Sequence, residues 1–460
     1  MKKTSAWEAY NETDLTALEA LSAGYKSFLD NGKTERECIK TVIRMAEEAG
    51  YKDLAALKAE KGTLCPGDKV YVAGMGKTIA LFHIGTDPLE NGLAILGAHI
   101  DSPRLDLKQN PLYEDGGQAY MDTHYYGGIK KYQWVTLPMA IHGVIVKKDG
   151  SLVEINIGEK PEDPAFCITD LLIHLAAKQQ DKKAAKAVEG EDLDLLVGSR
   201  PLADSEEKDA VKANVLALLK EQYDIEEDDL ISAELEIVPA GAAKDTGFDR
   251  SMVLAYGHDD RVCAYSSLIA MLNSETRDKT ACCIMTDKEE IGSVGATGAQ
   301  SRFFENAVVE LLDATGQYSD LALRRALAHS RMLSSDVSAA FDPLYAAAFD
   351  KRNASYLGKG VVFNKYTGAR GKSGSNDANA EYMALIRRIM DDNGVMFQTA
   401  ELGKVDEGGG GTIAYILALY GMEVIDCGVA VLNMHAPWEI ISKADLYEAR
   451  KCYSAFLANA

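Results

Sequence analysis

Five segments of the sequence place His, Asp or Glu directly after apolar, strand-like runs. Leu93 to Ala98 runs into His99 and Asp101, Met252 to Tyr256 into His258, Asp259 and Asp260, and Ala281 to Thr286 into Asp287, Glu289 and Glu290. Met332 to Ser335 runs into Asp336, and Val424 to Leu432 is followed by His435. Ligand sites of α/β sheets lie outside the carboxyl ends of strands, and this is the residue inventory of a hydrolytic metal site. The spacing His99-x-Asp101 suits an imidazole whose second N–H is held by a carboxylate or carbonyl, which fixes its tautomer. Glu289-Glu290 follows a very apolar run, and two adjacent carboxylates at a buried strand end are costly unless a cation neutralises them. Each residue also has a plainer reading. His99 alone suits a structural histidine, Asp259-Asp260 a helix N-terminus where carboxylates meet the dipole, and Glu289-Glu290 a solvated pair. The specificity lies in the set.

The elements that must position this set follow from the hydrophobic pattern. The first 60 residues read as helices: Thr34 and Glu37 form a capping-box pair, Ile39, Val42, Ile43 and Ala46 recur at helical spacing, and Gly50 supplies a stop. Val70 to Gly74, Ile79 to Ile84 and Leu93 to Ala98 read as strands, the last buried on both faces because it does not alternate. Between about 105 and 242, Asp115-Gly116-Gly117, Gly127-Gly128 and Asp149-Gly150 punctuate apolar stretches, which predicts hairpins. The polar tract from Lys178 to Lys212 reads as surface loop and helix. After Gly247, strand-like runs alternate with helical stretches. The expectation is an α/β domain with helices on both faces of its sheet, formed by 1–104 and 243–460 and interrupted by a β-rich insertion over 105–242.

Composition narrows the function classes. The 460 residues suggest two large units or about three ordinary ones. With 49 basic against 70 acidic residues, the formal charge of −21 disfavours nucleic acid and anionic membrane surfaces as partners. Met1-Lys2-Lys3 is followed by the polar stretch 4–14, which lacks the apolar core of a signal peptide, and no apolar run approaches bilayer length. The eight cysteines include no C-x-x-C pair, as expected for free thiols in a reducing compartment rather than a thiolate metal site. A cytoplasmic protein is expected.

The motifs His99-Ile100-Asp101-Ser102-Pro103, Gly257-His258-Asp259-Asp260-Arg261, Asp287-Lys288-Glu289-Glu290-Ile291-Gly292-Ser293, Ser335-Asp336-Val337 and Asn433-Met434-His435 occur in this order. Across nearly the whole chain they resemble the M18 aspartyl aminopeptidase family, in a bacterial form related to the M42 tetrahedral aminopeptidases. The resemblance implies a zinc-peptidase-like mixed sheet of the MH clan and two divalent metal ions per subunit, zinc first, with cobalt or manganese as alternatives. It implies that His99 and Asp336 hold one ion, that Glu290 and His435 hold the other, and that Asp259 bridges them. Glu289 is then the general base, and Asp101 orients His99. Peptides with a free N-terminus are the implied substrates, with a preference for N-terminal Asp or Glu. The insertion is implied to dimerise, dimers to assemble into a tetrahedral dodecamer, and a histidine of the insertion, His174, to reach a partner's pocket. His124 is a second candidate for that role, and an amphipathic helix is the plainer reading of His174.

Substrate contacts are expected from the glycine run Gly408 to Gly411, with Gly410 and Gly411 next to a helix predicted over Thr412 to Leu419. An ordinary tight connection explains that run equally well. Lys365, Arg370 and Lys372 are the basic residues available for an acidic side chain or an oxyanion. A metal-dependent deacylase or carboxypeptidase of the same clan is the alternative enzyme, and a non-catalytic assembly protein the alternative from another class.

Overall fold

The computed structural model describes residues 4–204, 208–369 and 371–460, so Met1-Lys2-Lys3 and Arg370 lie outside the described residues. The chain divides into two compact units, one comprising 1–101, 243–434 and 439–460 and the other 102–242 with 435–438. The expected junction at 104/105 lies three residues later than this division, because the strand Arg104–Asp115 belongs wholly to the second unit.

The first unit is built on a nine-stranded sheet. From edge to edge it runs Lys52–Asp53, Lys69–Gly74, Thr78–His83, Thr280–Thr286, Leu93–His99, Arg331–Ser334, Glu423–Gly428, Val361–Asn364 and Phe397–Thr399. The four strands from 280–286 to 423–428 are parallel, and 78–83 and 361–364 flank them antiparallel, giving a mixed sheet. Neighbouring residues of the parallel strands feed opposite cores. Leu96, Cys283, Leu333 and Ile425 face one, packed by the helices Glu12–Asp30, Glu35–Glu48, His258–Leu272, Ala380–Asp392 and Lys443–Asn459. Ile95, Cys282, Met332 and Val424 face the other, packed by Leu54–Lys61, Phe303–Ala314 and Asp320–Ala328. Burial on both faces explains the unalternating apolar runs. Leu96 is fully buried, and truncating it to Ala would cost about 2–5 kcal/mol. The capping box at Thr34 and Glu37 is present, and Gly50 takes the left-handed φ of 88° that ends the helix.

Some expectations are corrected. Met252–Ala255 is not in the large sheet but in a separate five-stranded one with Lys244–Thr246, Glu439–Ser442, Ala430–Leu432 and Ser338–Ala339. The run from Val424 to Leu432 is two strands, one in each sheet, divided after Gly428. Glycine is required there, because a Cβ at Gly428 would lie 1.8 Å from the carbonyl oxygen of Asp336. Two segments thus pass from sheet to sheet side by side, and Asp336 lies on one of them. The helix predicted over 412–419 is only Ala414–Ala418.

The second unit is a seven-stranded antiparallel sheet ordered Leu152–Ile157, Met139–Val146, Ala233–Pro239, Arg104–Asp115, Gln118–Tyr126, Leu195–Gly198 and Cys167–Ile168. Hairpins turn at Gly116-Gly117 and at Asp149-Gly150, as the glycines predict. The Lys178 to Lys212 tract is not all loop and helix. It contributes the strand Leu195–Gly198, whose Leu195 side chain is fully buried. Among the described residues every cysteine is a free thiol, and no helix is long and apolar enough to cross a membrane.

Candidate metal centre

Three adjacent parallel strands deliver side chains from their carboxyl ends. His99 closes its strand in register with Thr286, Asp336 follows Arg331–Ser334 by two residues, and Glu289 and Glu290 open a 3-10 turn just beyond Thr280–Thr286. Asp259 arrives from a different element, the first turn of His258–Leu272, behind Gly257 at φ 76°. Asp259 and Asp260 are joined by a cis peptide and depart from helical φ/ψ.

His99 is buried at the middle of these groups. Its Nε2 lies 3.2 Å from Asp259 Oδ1, 3.9 Å from Asp336 Oδ1 and 4.0 Å from Glu289 Oε2. One atom each from His99, Asp259 and Asp336 fall within 4.8 Å of one another, and so do atoms of His99, Glu289 and Glu290. Burial alone would lower the His99 pKa, but its hydrogen bonds to Asp101 and Asp259 and the charge of Glu289 carry it well above the ordinary value. Burial also pushes Asp336 far up, reinforced by the charges of Glu289, Asp259 and Asp260, and pushes Asp260 up in the same way. Several acids so close together hold protons unless a cation replaces them. Oxygen and imidazole donors crowded at metal-binding range therefore fit divalent ions such as zinc.

Asp101 touches both halves of the cluster. The Nδ1 of His99 is 3.0 Å from the Asp101 carbonyl oxygen and 3.3 Å from Oδ1. The same carboxylate accepts the backbone N–H of Glu289 and of Glu290, each at 3.1 Å. His435 belongs to the second unit, at φ 66°, with Nδ1 2.8 Å from the carbonyl oxygen of Gly128. Asp287 is tied to the Thr297 hydroxyl at 2.5 Å, and burial with the nearby charges of Glu35 and Asp101 pushes it up to about 6.

The other predicted contacts are distributed differently. Lys365 and Lys372 share one carboxylate, Asp377, at 3.6 and 2.8 Å, and Lys372 also lies over the Tyr366 ring. The Gly410 N–H is given to the Thr367 carbonyl at 3.2 Å, and the following helix has only five residues. Gly408 and Gly409 permit close approach of the chain to itself, since Cβ atoms there would meet Leu402 and Ala369 at 1.8 and 2.8 Å. A Cβ at Gly411 would make an ordinary contact with the Gly374 carbonyl oxygen at 3.9 Å. His174 is exposed in a 3-10 turn, Ile173–Leu175, which replaces the amphipathic helix of the plainer reading. His124 is exposed, with Nδ1 2.8 Å from the Tyr125 carbonyl oxygen.

One participant was not anticipated, and one strand-end residue has another duty. Glu439, nearly fully buried, accepts the backbone N–H of Asp259 at 3.0 Å. His258, one of the strand-end residues read from the sequence, is a framework group. Its Nδ1 accepts the Tyr25 hydroxyl at 2.6 Å, Nε2 donates to the Val253 carbonyl at 3.1 Å, and burial lowers its pKa to about 3. A lone acid before Ile440-Ile441 offers no spacing signal that could have found Glu439.

The sheet, the strand-end donors and the crowded acids define a metallohydrolase. Residues 28–457 match the family described as aminopeptidase I zinc metalloprotease (M18), and the chain belongs to that family. A relative from Clostridium acetobutylicum, a probable M18 family aminopeptidase 1, is 61% identical over 99% of this chain and 98% of its own. The crystal structure of an M18 aminopeptidase from Thermotoga maritima superposes with TM-score 0.95 at 45% identity, covering 100% of both chains. That of aminopeptidase I from C. acetobutylicum gives 0.94 at 60%, again over 100% of both. The protein is therefore a metallo-aminopeptidase of the M18 family, a hydrolase.

Proposed function

We propose that this chain removes N-terminal residues from peptides by a two-metal mechanism with Glu289 as general base. His99 and Asp336 would hold one divalent ion, Glu290 and His435 the other, and Asp259 would serve both. The observation that carries this reading is the packing of Asp259, Asp336 and Glu289 carboxylate oxygens within 4.0 Å of the single Nε2 of His99. Divalent ions bound there supply Lewis acidity, which acidifies a water and polarises a carbonyl. Glu289 takes the proton from the attacking water at its carboxylate and returns it to the departing amine. Asp101 holds the Nδ1 side of His99 and leaves Nε2 toward the acids.

We extend the proposal to the parts that the family resemblance supplies. The unit over 102–242 serves as the dimerisation domain, and dimers build a tetrahedral dodecamer in which the exposed His174 reaches a partner's pocket. Lys365 is the candidate contact for an acidic N-terminal side chain, supported by its half-exposed position and its long 3.6 Å pairing with Asp377. Gly410 and Gly411 line the substrate path, and the enzyme acts in the cytoplasm. A panel of acidic, apolar and basic N-terminal residues, each with a free or acetylated amine, tests the reading. Turnover of free-amine substrates only, fastest for Asp and Glu, is expected. Turnover confined to acetylated substrates would make the protein a deacylase instead.

A further inference from the structure

We propose that Asp101 is a positioning residue for the Glu289-Glu290 turn, so that its carboxylate sets the place of the base while its main chain serves His99. The inference rests on the role of Glu289 proposed above. Asp101 is fully buried. Its Oδ1 accepts the N–H of Glu289 and its Oδ2 that of Glu290, both at 3.1 Å. These are the first two amides of the 3-10 turn Glu289–Ile291. Amides at the start of a helical turn have no acceptor within the turn, so one must come from elsewhere. A carboxylate facing two N–H groups, one per oxygen, makes charge-assisted bonds of defined geometry.

The imidazole has a different claim on the same residue. The nearer acceptor for His99 Nδ1 is the backbone carbonyl oxygen of Asp101 at 3.0 Å, while Oδ1 is at 3.3 Å. A carbonyl survives any substitution of the side chain. The two duties of Asp101 are therefore separable: the main chain orients His99, and the carboxylate fastens the turn that carries Glu289 and Glu290. That turn also needs fastening on chemical grounds, because Lys288 before it and Gly292 after it are both left-handed, at φ 68° and 96°. An L-residue such as Lys288 adopts that conformation only when its surroundings hold it.

The test compares wild type with Asp101→Asn and Asp101→Ala by hydrogen–deuterium exchange, with and without chelator, alongside kcat, KM and bound metal. The Asn variant keeps the shape but turns an amide NH2 toward one of the two N–H groups. Expected is exchange about tenfold faster at Glu289 and Glu290 with the strand ending at His99 unchanged. kcat should fall roughly 10–100-fold, with KM changed less than about threefold and metal content preserved. The Ala variant removes both acceptors without opposing donor to donor, and gives the same reading if the Asn variant does not fold. Unchanged exchange at Glu289 and Glu290, or lost metal with an undisturbed turn, would overturn the proposal and assign the carboxylate to His99. Exchange is read without turnover. If Glu289→Gln kept full turnover, the base assignment would fail while the exchange result still decided the clamp.

Discussion

His99 Nε2 and Asp259 Oδ1 lie 3.2 Å apart, on a strand end and a helix start that 160 residues of sequence separate. Both side chains are buried, and three further acids face the same space. Removing bound metal should restore their mutual repulsion. Chelation is expected to abolish turnover and to lower the thermal midpoint, with both recovered on adding zinc. A ligand present at 100 times its dissociation constant stabilises by about 2.7 kcal/mol, and differential scanning fluorimetry reads the shift.

Replacing Glu289 by Gln keeps its size and removes its basicity. kcat is expected to fall by about 10²–10⁴, with metal content and thermal midpoint close to wild type. Steady-state kinetics beside metal analysis checks this. A drop in metal content equal to the drop in activity would make Glu289 a ligand.

Glu439 supports Asp259 through its backbone N–H at 3.0 Å. Glu439→Ala leaves that buried amide without this acceptor, and a cost of about 1–3 kcal/mol is expected in urea unfolding. Glu439→Gln can still present a carbonyl oxygen, so it should lose less.

Away from the centre, Asp445 accepts the N–H groups of Gly358 and Gly360 at 2.7 and 2.8 Å. Burial nevertheless pushes it up to about 7 from 3.8. The folded state then binds a proton that the unfolded state has released between these values, so this group's contribution is full below about 3.8 and is lost as pH rises to about 7. The stability advantage of wild type over Asp445→Asn should therefore be larger at pH 5 than at pH 8. Denaturant titrations at the two pH values measure it.

Much of this was legible in the sequence, for physical reasons. Runs such as Leu93 to Ala98 announce strands buried on both faces, and the acids at their ends announce the site, because charge at a buried strand end needs a reason. The capping box at Thr34 and Glu37 is a local code and is read locally. Sheet membership is not local. The chain change at Gly428 depends on the carbonyl of Asp336, 92 positions away in sequence, and a single apolar run hid two strands of different sheets. The glycines at 408 and 409 announced close approach, but not that the approach is to Leu402 and Ala369. Glu439 and the carboxylate duty of Asp101 are contacts to backbone amides, which leave no pattern in residue types.

In the proposed mechanism the acids around His99 hold two divalent ions on which turnover depends. The direct measurement is a titration of zinc into chelated protein, following bound metal per chain and peptide hydrolysis together, for wild type and Asp259→Asn. Two ions per chain are expected at full activity, with loss of both binding and turnover in the variant. Full turnover by the metal-free chain, or undiminished binding of two ions after Asp259 is changed, would contradict it.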